Sequence, residues 1–308
     1  MKHLYNLADA NLPQPSIVTI GVFDGVHLGH QHLVRRLVNE ARVSERLSVV
    51  ITFYPHPDVL LRGLQGRYYL MSPDEKAEKL HALGVDYVVT LAFNDELRHI
   101  RAAEFVASLV ARLKLSSLWV GADFAMGYKR EGNVAFLQKQ GDEKDFTLHV
   151  IGLIPDEERV ISSTNIRTAL QTGDVAQARD WLGRAYTTKG EVVHGEKRGR
   201  KIGFPTANVD VWNEQVIPAN GVYAGWAYLN GERFMAVTNV GVRPTFAGDD
   251  VTVEAHLLDF ERDIYGEQLE VTFETRLRAE QRFDGIEALV AQINRDVEAG
   301  REYLMQRA

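Results

Sequence analysis

The strongest constraint on the fold is a change of sequence pattern part-way along the chain. In the first half, strand-like runs at residues 16–22, 47–53, 85–91 and 118–121 alternate with helix-like stretches. From about Gly29 the apolar residues recur on one helical stripe, and Ser72 with Glu75 forms a capping box that begins a second helix. Helices are also expected at 101–113, 164–172 and 174–182. This alternation predicts an α/β domain with a parallel sheet, in which ligands bind beyond the carboxyl ends of the strands.

The second half has the pattern of antiparallel β structure. Residues 221–229 and 232–240 flank Asn230-Gly231, a pair that favours a tight hairpin turn. Residues 251–260 and 268–278 are expected to form another pair. A terminal helix is expected from Asp284, with one stripe formed by Ile286, Leu289, Val290, Ile293 and Val297. The pattern predicts a small antiparallel β-barrel with a terminal helix packed on it. Two domains, 1–185 and 186–308, agree with a length of 308 residues.

Composition excludes several classes of function. The formal net charge of −7 gives no overall basic field, so we expect neither nucleic acid nor a membrane as a partner, and any anionic ligand needs a local basic cluster. The chain has no cysteine, which excludes disulfides, thiolate metal sites and a cysteine nucleophile. It also lacks a long apolar stretch, so a cytoplasmic location is expected.

The first candidate site lies where the first strand meets the first helix. His27 and His30 enter a helix N-terminus, whose free N–H groups and positive dipole end favour phosphate. Imidazoles there can donate hydrogen bonds as negative charge develops on a departing pyrophosphate. Gly25 and Gly29 would let the backbone approach a nucleotide closely. The alternative is a glycine-rich turn with two surface histidines, since His32 shows that this chain uses histidine freely.

Three more polar segments follow strands or open helices, at residues 52–57, 121–132 and 161–167. Ser162, Ser163 and Thr164 at a helix start are more often plain N-caps than ligand contacts. Arg167, one turn further on, has the side chain that a phosphate site needs.

Together these segments resemble the adenylyltransferase module of bacterial FAD synthetases, over about residues 16–183. The resemblance implies a Rossmann-like nucleotidyltransferase fold in which the FMN phosphate attacks the α-phosphorus of ATP and expels pyrophosphate. It implies that His27 and His30 contact the ATP phosphates and that Arg167 acts with them. Nucleotide and flavin contacts are implied for Gly21, Phe23, Asp24, Gly29, Asp123, Phe124, Ser163 and Thr164. The family usually has an aromatic residue before Gly127; this chain has Met126, which can fill the space but cannot stack.

The densest signal is the run at residues 190–208. It concentrates four basic residues within five positions, Lys197, Arg198, Arg200 and Lys201. The run matches neither a Walker A loop nor a dinucleotide fingerprint, and a solvated basic loop is the alternative. Thr206 and Asn208 offer neutral oxygen ligands suited to Mg²⁺ beside a phosphate.

This run resembles the signature of riboflavin kinases, with further matches at residues 221–224, 239–245, 253–260 and 263–266. The resemblance covers about residue 187 to the last helix. It implies that Glu254 accepts the proton of the ribityl 5′-hydroxyl and that Thr206 and Asn208 hold the metal; without it, Glu254 would be read as an exposed salt-bridge residue. Substrate contacts are implied for Gly195, Lys197, Gly199, Arg200, Gly203, Pro205, Asn239 and Arg243.

Both resemblances together predict an enzyme that uses ATP to convert riboflavin to FMN and FMN to FAD, with Mg²⁺, as a monomer or weak homo-oligomer. Two alternatives remain. One is another His-x-Gly-His nucleotidyltransferase, acting on a cytidine or pantetheine substrate, which the fused barrel disfavours. The other is a flavin-binding regulatory or RNA-contacting protein without catalysis, which the intact motifs and the acidic charge disfavour.

Overall fold

A computed structural model describes residues 1–152, 161–195, 199, 202–245 and 248–307, without the side chains of 243–245 and 248–250. The chain forms two compact units. The first comprises residues 1–65 and 71–162, and the second comprises residues 66–70 and 163–308. The short segment 66–70 therefore packs with the second unit, although the chain around it belongs to the first. No helix in the described part of the chain is long and apolar enough to cross a membrane.

The first unit is built on a parallel sheet. Its strands are β1 (Lys2–Leu4), β2 (Ser16–Ile20), β3 (Leu47–Tyr54), β4 (Tyr87–Ala92), β5 (Leu115–Gly121), β6 (Ala125–Met126), β7 (Gly132–Asn133) and β8 (Thr147–Ile151). Its helices are α1 (Leu28–Val43), α2 (Pro57–Arg62), α3 (Pro73–Ala82), α4 (Asp95–His99), α5 (Ala102–Leu113) and α6 (Val134–Lys144). Among the described residues, six strands pair in parallel in the order β1-β4-β3-β2-β5-β8. The predicted parallel sheet is confirmed.

The two faces of this sheet bury separate apolar cores. Alternate strand residues point to opposite faces, so Val18 packs with α5 while its neighbour Ile17 packs with α1 and α3. The capping box predicted for α3 is present, because Ser72 accepts from the Glu75 N–H and Glu75 accepts from the Ser72 N–H. Gly84, with φ 97°, follows the end of α3 as expected. Burial of both faces explains why the central strands are apolar along their whole length.

The second unit contains a closed barrel. The unit as a whole comprises α7 (Ser163–Thr172), α8 (Val175–Leu182), β9 (Tyr186–Val193), β10 (Ala207–Val211), β11 (Gly221–Leu229), β12 (Glu232–Thr245), β13 (Gly248–Leu257), β14 (Gln268–Phe273), β15 (Thr275–Ala279) and α9 (Ile286–Met305). In the described residues the antiparallel order is β12-β13-β10-β9-β14-β11-β15, and β11 also pairs with β12. That pairing closes a six-stranded barrel, with β15 added along β11, so the predicted barrel is confirmed.

The predicted hairpin is confirmed, but the second predicted pair is wrong. Leu229 and Glu232 are paired across the turn, where Asn230 and Gly231 adopt φ of 51° and 84°. The strands from the other two segments, β13 and β14, do not pair, because β10 and β9 lie between them. Residues 258–267, which connect β13 to β14, form a connection too long for a tight hairpin. The alternating pattern of the two segments therefore did not show which strands would pair with them.

The terminal helix packs through its second half. Ile286, the first residue of the predicted apolar stripe, is 67% exposed, whereas Gly300 and Leu304 are buried. A Cβ at Gly300 would lie 2.9 Å from the Val237 side chain, so the helix approaches the barrel closely at that point. The prediction that the helix packs on the barrel is confirmed, but the stripe does not bury its first residue.

Candidate active sites

The first candidate site lies at the point where the order of the parallel sheet reverses. From β2 the chain adds β3 and β4 on one side and later adds β5 on the other. The loops that follow β2 and β5 therefore flank the crevice in which sheets of this class bind ligands. The first loop carries Gly21 to His27, and the second carries Asp123 and Phe124. The structure thus brings these two predicted segments to neighbouring strand ends.

A tight turn after β2 delivers the first histidine to the start of α1. Phe23, Gly25 and Val26 have positive φ of 52°, 79° and 40°. Such angles are unfavourable for Phe and for β-branched Val, so the surrounding structure must hold the turn. His27 is the N-cap of α1, and its Nδ1 accepts a hydrogen bond from the His30 N–H at 3.4 Å. The helix begins at Leu28, close to the predicted position.

The two histidines form a stacked pair. Their ring centroids are 3.6 Å apart with an interplanar angle of 20°, and Phe23 contacts His30 edge-on at 5.1 Å. Burial lowers the pKa of His30 well below its ordinary value, and the charges of His27 and Lys76 lower it further. His30 is therefore neutral at neutral pH. Its Nδ1 is buried and has no hydrogen-bond partner among the described residues.

Two glycines and an aspartate complete this turn. A Cβ at Gly29 would lie 3.2 Å from the His27 ring, and one at Gly21 would lie 3.0 Å from the Phe23 ring. Glycine at both positions lets the rings pack against the backbone. Asp24 is 2% exposed and lies within the turn. The predicted residues of this motif therefore form one compact group.

Sequence reasoning missed Lys76 of α3. This lysine is 5% exposed, and its Nζ donates to the carbonyl oxygens of Val22 at 3.0 Å and Phe53 at 3.4 Å. Burial lowers the pKa of Lys76 to about 8, while the Asp24 carboxylate opposes that shift. The only sequence signal was a basic residue on a helix face that otherwise contributes Ala77 and Leu80 to the core.

The loop after β5 is held by hydrogen bonds to its backbone carbonyl groups. The Phe124 N–H donates to the Gly121 carbonyl at 3.1 Å, and Arg130 donates to the Asp123 carbonyl at 3.0 Å. Asp123 is exposed, whereas Phe124 and Met126 are half-buried and pack against the apolar core. Met126 thus fills space at the position where the family usually has an aromatic residue.

Three predicted phosphate contacts belong to the second unit. Ser163 and Thr164 begin α7, and Arg167 follows one turn later. Arg167 is 7% exposed; its Nε donates to the Tyr68 carbonyl at 2.7 Å, and its guanidinium lies 4.0 Å from the centre of the Tyr68 ring. Arg167 therefore anchors the 66–70 segment in this unit, a contact that the sequence did not indicate.

The second candidate site is a cavity of about 810 Å³ in the barrel unit. Its lining includes Gly195, Gly199, Pro205, Thr206, Asn208, Asn239 and Glu254. Asn208 of β10, Glu254 of β13 and Asn239 of β12 are directly opposite one another across three adjacent strands. Thr206 donates from Oγ1 to Glu254 Oε2 at 3.4 Å. The fold therefore gathers the predicted base, both predicted metal ligands and one predicted substrate contact.

Two glycines, Gly195 and Gly199, pack closely against neighbouring residues. A Cβ at Gly195 would lie 2.3 Å from Asn208 Nδ2, and one at Gly199 would lie 2.3 Å from the Phe204 carbonyl oxygen. His256 contacts the Pro205 carbonyl through Nδ1 at 2.7 Å. Only glycine, which has no Cβ, permits the close approaches at Gly195 and Gly199.

Part of the predicted basic run lies outside the described residues. Lys197 and Arg200, with Arg198 and Lys201, lie outside the described residues. Arg243 lies in β12, but its side chain is also outside them. Gly203 is described, has φ 89° and is exposed. In the described part of the chain, no three His, Asp or Glu side chains are grouped as metal ligands. Thr206 and Asn208, which line the cavity, present a hydroxyl and an amide oxygen that could serve as ligands of a divalent metal ion.

Comparison with known proteins identifies the family of the chain. The FAD synthetase family model matches residues 9–165, and the riboflavin kinase family model matches residues 182–304. The chain belongs to the bifunctional riboflavin kinase/FMN adenylyltransferase family. Both domains of this family member are enzymatic: the N-terminal domain is the FMN adenylyltransferase, and the C-terminal domain is the riboflavin kinase. Its substrates are ATP, riboflavin and FMN.

Relatives match the chain over nearly its full length. The bifunctional riboflavin kinase/FMN adenylyltransferase of Listeria monocytogenes is 37% identical over 93% of this chain and 92% of its own length. The enzyme of the same description from Escherichia coli is 39% identical over 98% of this chain and 97% of its own length. A crystal structure described as a macrolide-efflux protein from Streptococcus pneumoniae has a TM-score of 0.88 and 32% identity, covering 97% of this chain and 98% of that one.

Proposed function

We propose that Glu254 is the catalytic base of the riboflavin kinase and that Thr206 and Asn208 hold Mg²⁺ beside the ATP phosphates. One observation carries this proposal: Asn208, Glu254 and Asn239 face one another on adjacent strands within the cavity, and the Thr206 hydroxyl contacts the same carboxylate. Neutral oxygen ligands with a single carboxylate suit phosphoryl transfer, where positioning and charge neutralisation dominate.

In this reaction Glu254 accepts the proton of the ribityl 5′-hydroxyl as that oxygen forms a bond to the γ-phosphorus of ATP. The bond from phosphorus to the ADP oxygen breaks, so the products are FMN and ADP. A bound Mg²⁺ would neutralise charge on the phosphate oxygens. The loop from Gly195 to Gly203, with Lys197 and Arg200, would cover those phosphates, and Asn239, Arg243 and Pro205 would contact the substrates.

Glu254→Gln tests the proposed base because glutamine keeps the shape and removes the proton acceptor. We expect FMN formation from riboflavin to fall by about 10²–10⁴-fold. FAD formation from supplied FMN should stay unchanged. Both products are measured after separation by chromatography. Glu270→Gln is the matched control, since Glu270 is half-buried on β14 and does not line the cavity. Wild-type FMN formation by folded Glu254→Gln would exclude the proposed role.

For the adenylyltransferase we propose that His27 and His30 contact the phosphates of ATP, while Asp123 and Phe124 bind the flavin or nucleotide. The FMN phosphate attacks the α-phosphorus, and pyrophosphate leaves. Two observations support this assignment: the place of these residues at the reversal point of the sheet, and a neutral His30 whose Nδ1 has no hydrogen-bond partner among the described residues. Gly21, Phe23, Asp24 and Gly29 shape the turn, and Ser163, Thr164 and Arg167 remain proposed phosphate contacts.

His30→Ala tests this second site. We expect FAD formation from supplied FMN to fall at least tenfold, with riboflavin phosphorylation unchanged. His32→Ala is the control, because His32 lies on the same helix and is exposed. Undiminished FAD formation by His30→Ala would remove this residue from the mechanism.

Four further assignments are proposed. The activities divide at about Ala185, the chain acts in the cytoplasm, where both reactions find ATP, and it is a monomer or weak homo-oligomer. We also propose that it binds neither nucleic acid nor membranes, in keeping with a net charge of −7. Light scattering across a concentration series tests the oligomeric state.

A further inference from the structure

An unexpected cation lies beneath the first active site. Lys76 is 5% exposed, although lysine is almost never fully buried without a partner. It also lies in the first turn of α3, which begins at Pro73, where the helix dipole disfavours positive charge. Both features oppose stability. A residue that is unfavourable in two ways is a candidate for a functional role.

The ammonium group joins the ends of two neighbouring strands. The pairing of β2 with β3 runs to Ile20 and Ile51, and the Gly21 N–H still donates to the Ile51 carbonyl. One residue further, the Val22 carbonyl oxygen accepts from Lys76 Nζ at 3.0 Å and from Thr52 Oγ1 at 2.8 Å. Lys76 Nζ is also 3.4 Å from the Phe53 carbonyl oxygen. The lysine thus continues the connection between the strands beyond their backbone pairing.

The strained turn follows this connection directly. Phe23 comes after Val22, and positive φ angles occur at Phe23, Gly25 and Val26 before His27 begins α1. Unfavourable backbone angles persist only where surrounding contacts hold them. The Lys76 contact lies at the entry to the turn, so it restricts where the two histidines stand.

Lys76 also affects the charge of the site. Burial disfavours the protonated form of Lys76 and lowers its pKa to about 8, while the Asp24 carboxylate in the turn opposes this shift. Burial also lowers the pKa of His30 on α1, and the charges of His27 and then of Lys76 lower it further. For His3 on β1 burial is again the main cause of a lowered pKa, to which Lys76 adds the smallest part. At neutral pH the lysine is mostly protonated, and it helps to keep His30 neutral.

We propose that Lys76 is a positioning residue for FMN adenylyl transfer, which holds the Val22 and Phe53 carbonyl groups and so fixes the turn that carries His27 and His30. This inference rests on the proposed contact of those histidines with ATP. If Lys76 only filled space, Lys76→Met would leave both activities intact, because methionine has a similar length and its side chain needs no hydrogen-bond partner.

Lys76→Met separates these possibilities. We expect FMN adenylyl transfer to lose 10–100-fold in kcat/KM, mostly in kcat, because a misplacement of about 1 Å can cost about a hundredfold. Riboflavin phosphorylation by the same molecule should stay within twofold of wild type, and the thermal midpoint should not fall. Lys79→Met is the matched control, since Lys79 is a half-buried lysine one turn along α3.

The pH profile gives a readout that a structural role would not change. In the wild type, adenylyl transfer should decline as pH rises through about 8, where Lys76 loses its proton. Lys76→Gln keeps a hydrogen-bond donor without a charge, so it should be less impaired than Lys76→Met and should lack that decline. Lys76→Gln also provides the test if the Lys76→Met protein does not fold.

Two results would overturn the inference. One is adenylyl transfer within twofold of wild type in a folded Lys76→Met protein or, if that variant does not fold, a Lys76→Gln protein that keeps the wild-type decline above pH 8. The other is an equal loss of both activities. His30→Ala is measured alongside. If His30→Ala is fully active, the proposed histidine site fails; if it is inactive while the lysine variants are active, only the positioning role fails.

Discussion

Adding one methyl group at Gly195 should impair the riboflavin kinase selectively. The backbone at Gly195 needs no positive φ, so Gly195→Ala introduces contact but no backbone strain. The new Cβ would lie 2.3 Å from Asn208 Nδ2, 2.7 Å from its Cγ and 2.8 Å from its Oδ1, whereas ordinary contact begins at 3.4 Å. The amide must therefore move by about 1 Å, or the loop must withdraw by a similar distance.

A displacement of about 1 Å in a group that positions the reacting atoms can reduce the rate about a hundredfold. We therefore expect kcat/KM for riboflavin phosphorylation to fall by about that factor, with a higher Mg²⁺ requirement if Asn208 holds the metal. The clash falls on the end of a half-buried side chain, so the loss of stability should stay near 1 kcal/mol, or about 2–4 °C in the thermal midpoint.

The assay measures FMN formation from riboflavin and FAD formation from supplied FMN in the same preparation. Gly152→Ala is the control, because a Cβ there meets nothing within 4 Å. FAD formation should be unchanged in both variants. Wild-type riboflavin phosphorylation and Mg²⁺ dependence in Gly195→Ala would refute the assignment of Asn208 to the metal site.

Three further predictions concern stability. Asp296→Ala should cost about 3 kcal/mol in urea unfolding, because it leaves Arg278 without the carboxylate 2.9 Å away, whereas Arg301→Ala breaks an exposed pair and should change little. The folded-state pKa of His30 is lowered, so as the pH drops below 6.5 the unfolded chain binds a proton before the folded one and the wild-type protein loses stability. His30→Asn should therefore show a smaller fall in thermal midpoint over that pH range. Gly127→Ala should cost about 2 kcal/mol or more in chemical denaturation, since φ is 74° and the new Cβ would lie 2.6 Å from a backbone nitrogen. For Asp296→Ala, His30→Asn or Gly127→Ala, a result equal to wild type would contradict the contact or pKa shift on which the prediction rests.

Local patterns predicted most of the first domain. The capping box at Ser72, the apolar runs of the central strands and the histidine turn all depend on neighbouring residues, which sequence shows directly. The histidine pair and the loop with Asp123 were expected to gather because carboxyl ends of parallel strands share one edge. The structure brings them to strands on either side of the reversal point.

Long-range pairing was less predictable. β13 pairs with β12 on one side and with β10 on the other. The strand that follows it in sequence, β14, lies beyond β10 and β9 in the barrel. No local signal sets such a pairing, because alternation shows which face of a strand is apolar and leaves its neighbour open. The pairing of β13 with β10 brings Glu254 opposite Asn208, residues 46 positions apart by their sequence numbers.

By itself the sequence determined the two-domain plan, the fold classes and the motifs from which both activities were expected, since periodicity and turn chemistry are local properties. Only the tertiary structure decided which side chains share an environment. It buried Lys76 against Val22 and Phe53 and stacked Arg167 on Tyr68. The sequence predicted Arg167 only as a phosphate contact and gave no role to Lys76, because the desolvation and the hydrogen bonds of both residues arise only when distant segments pack together.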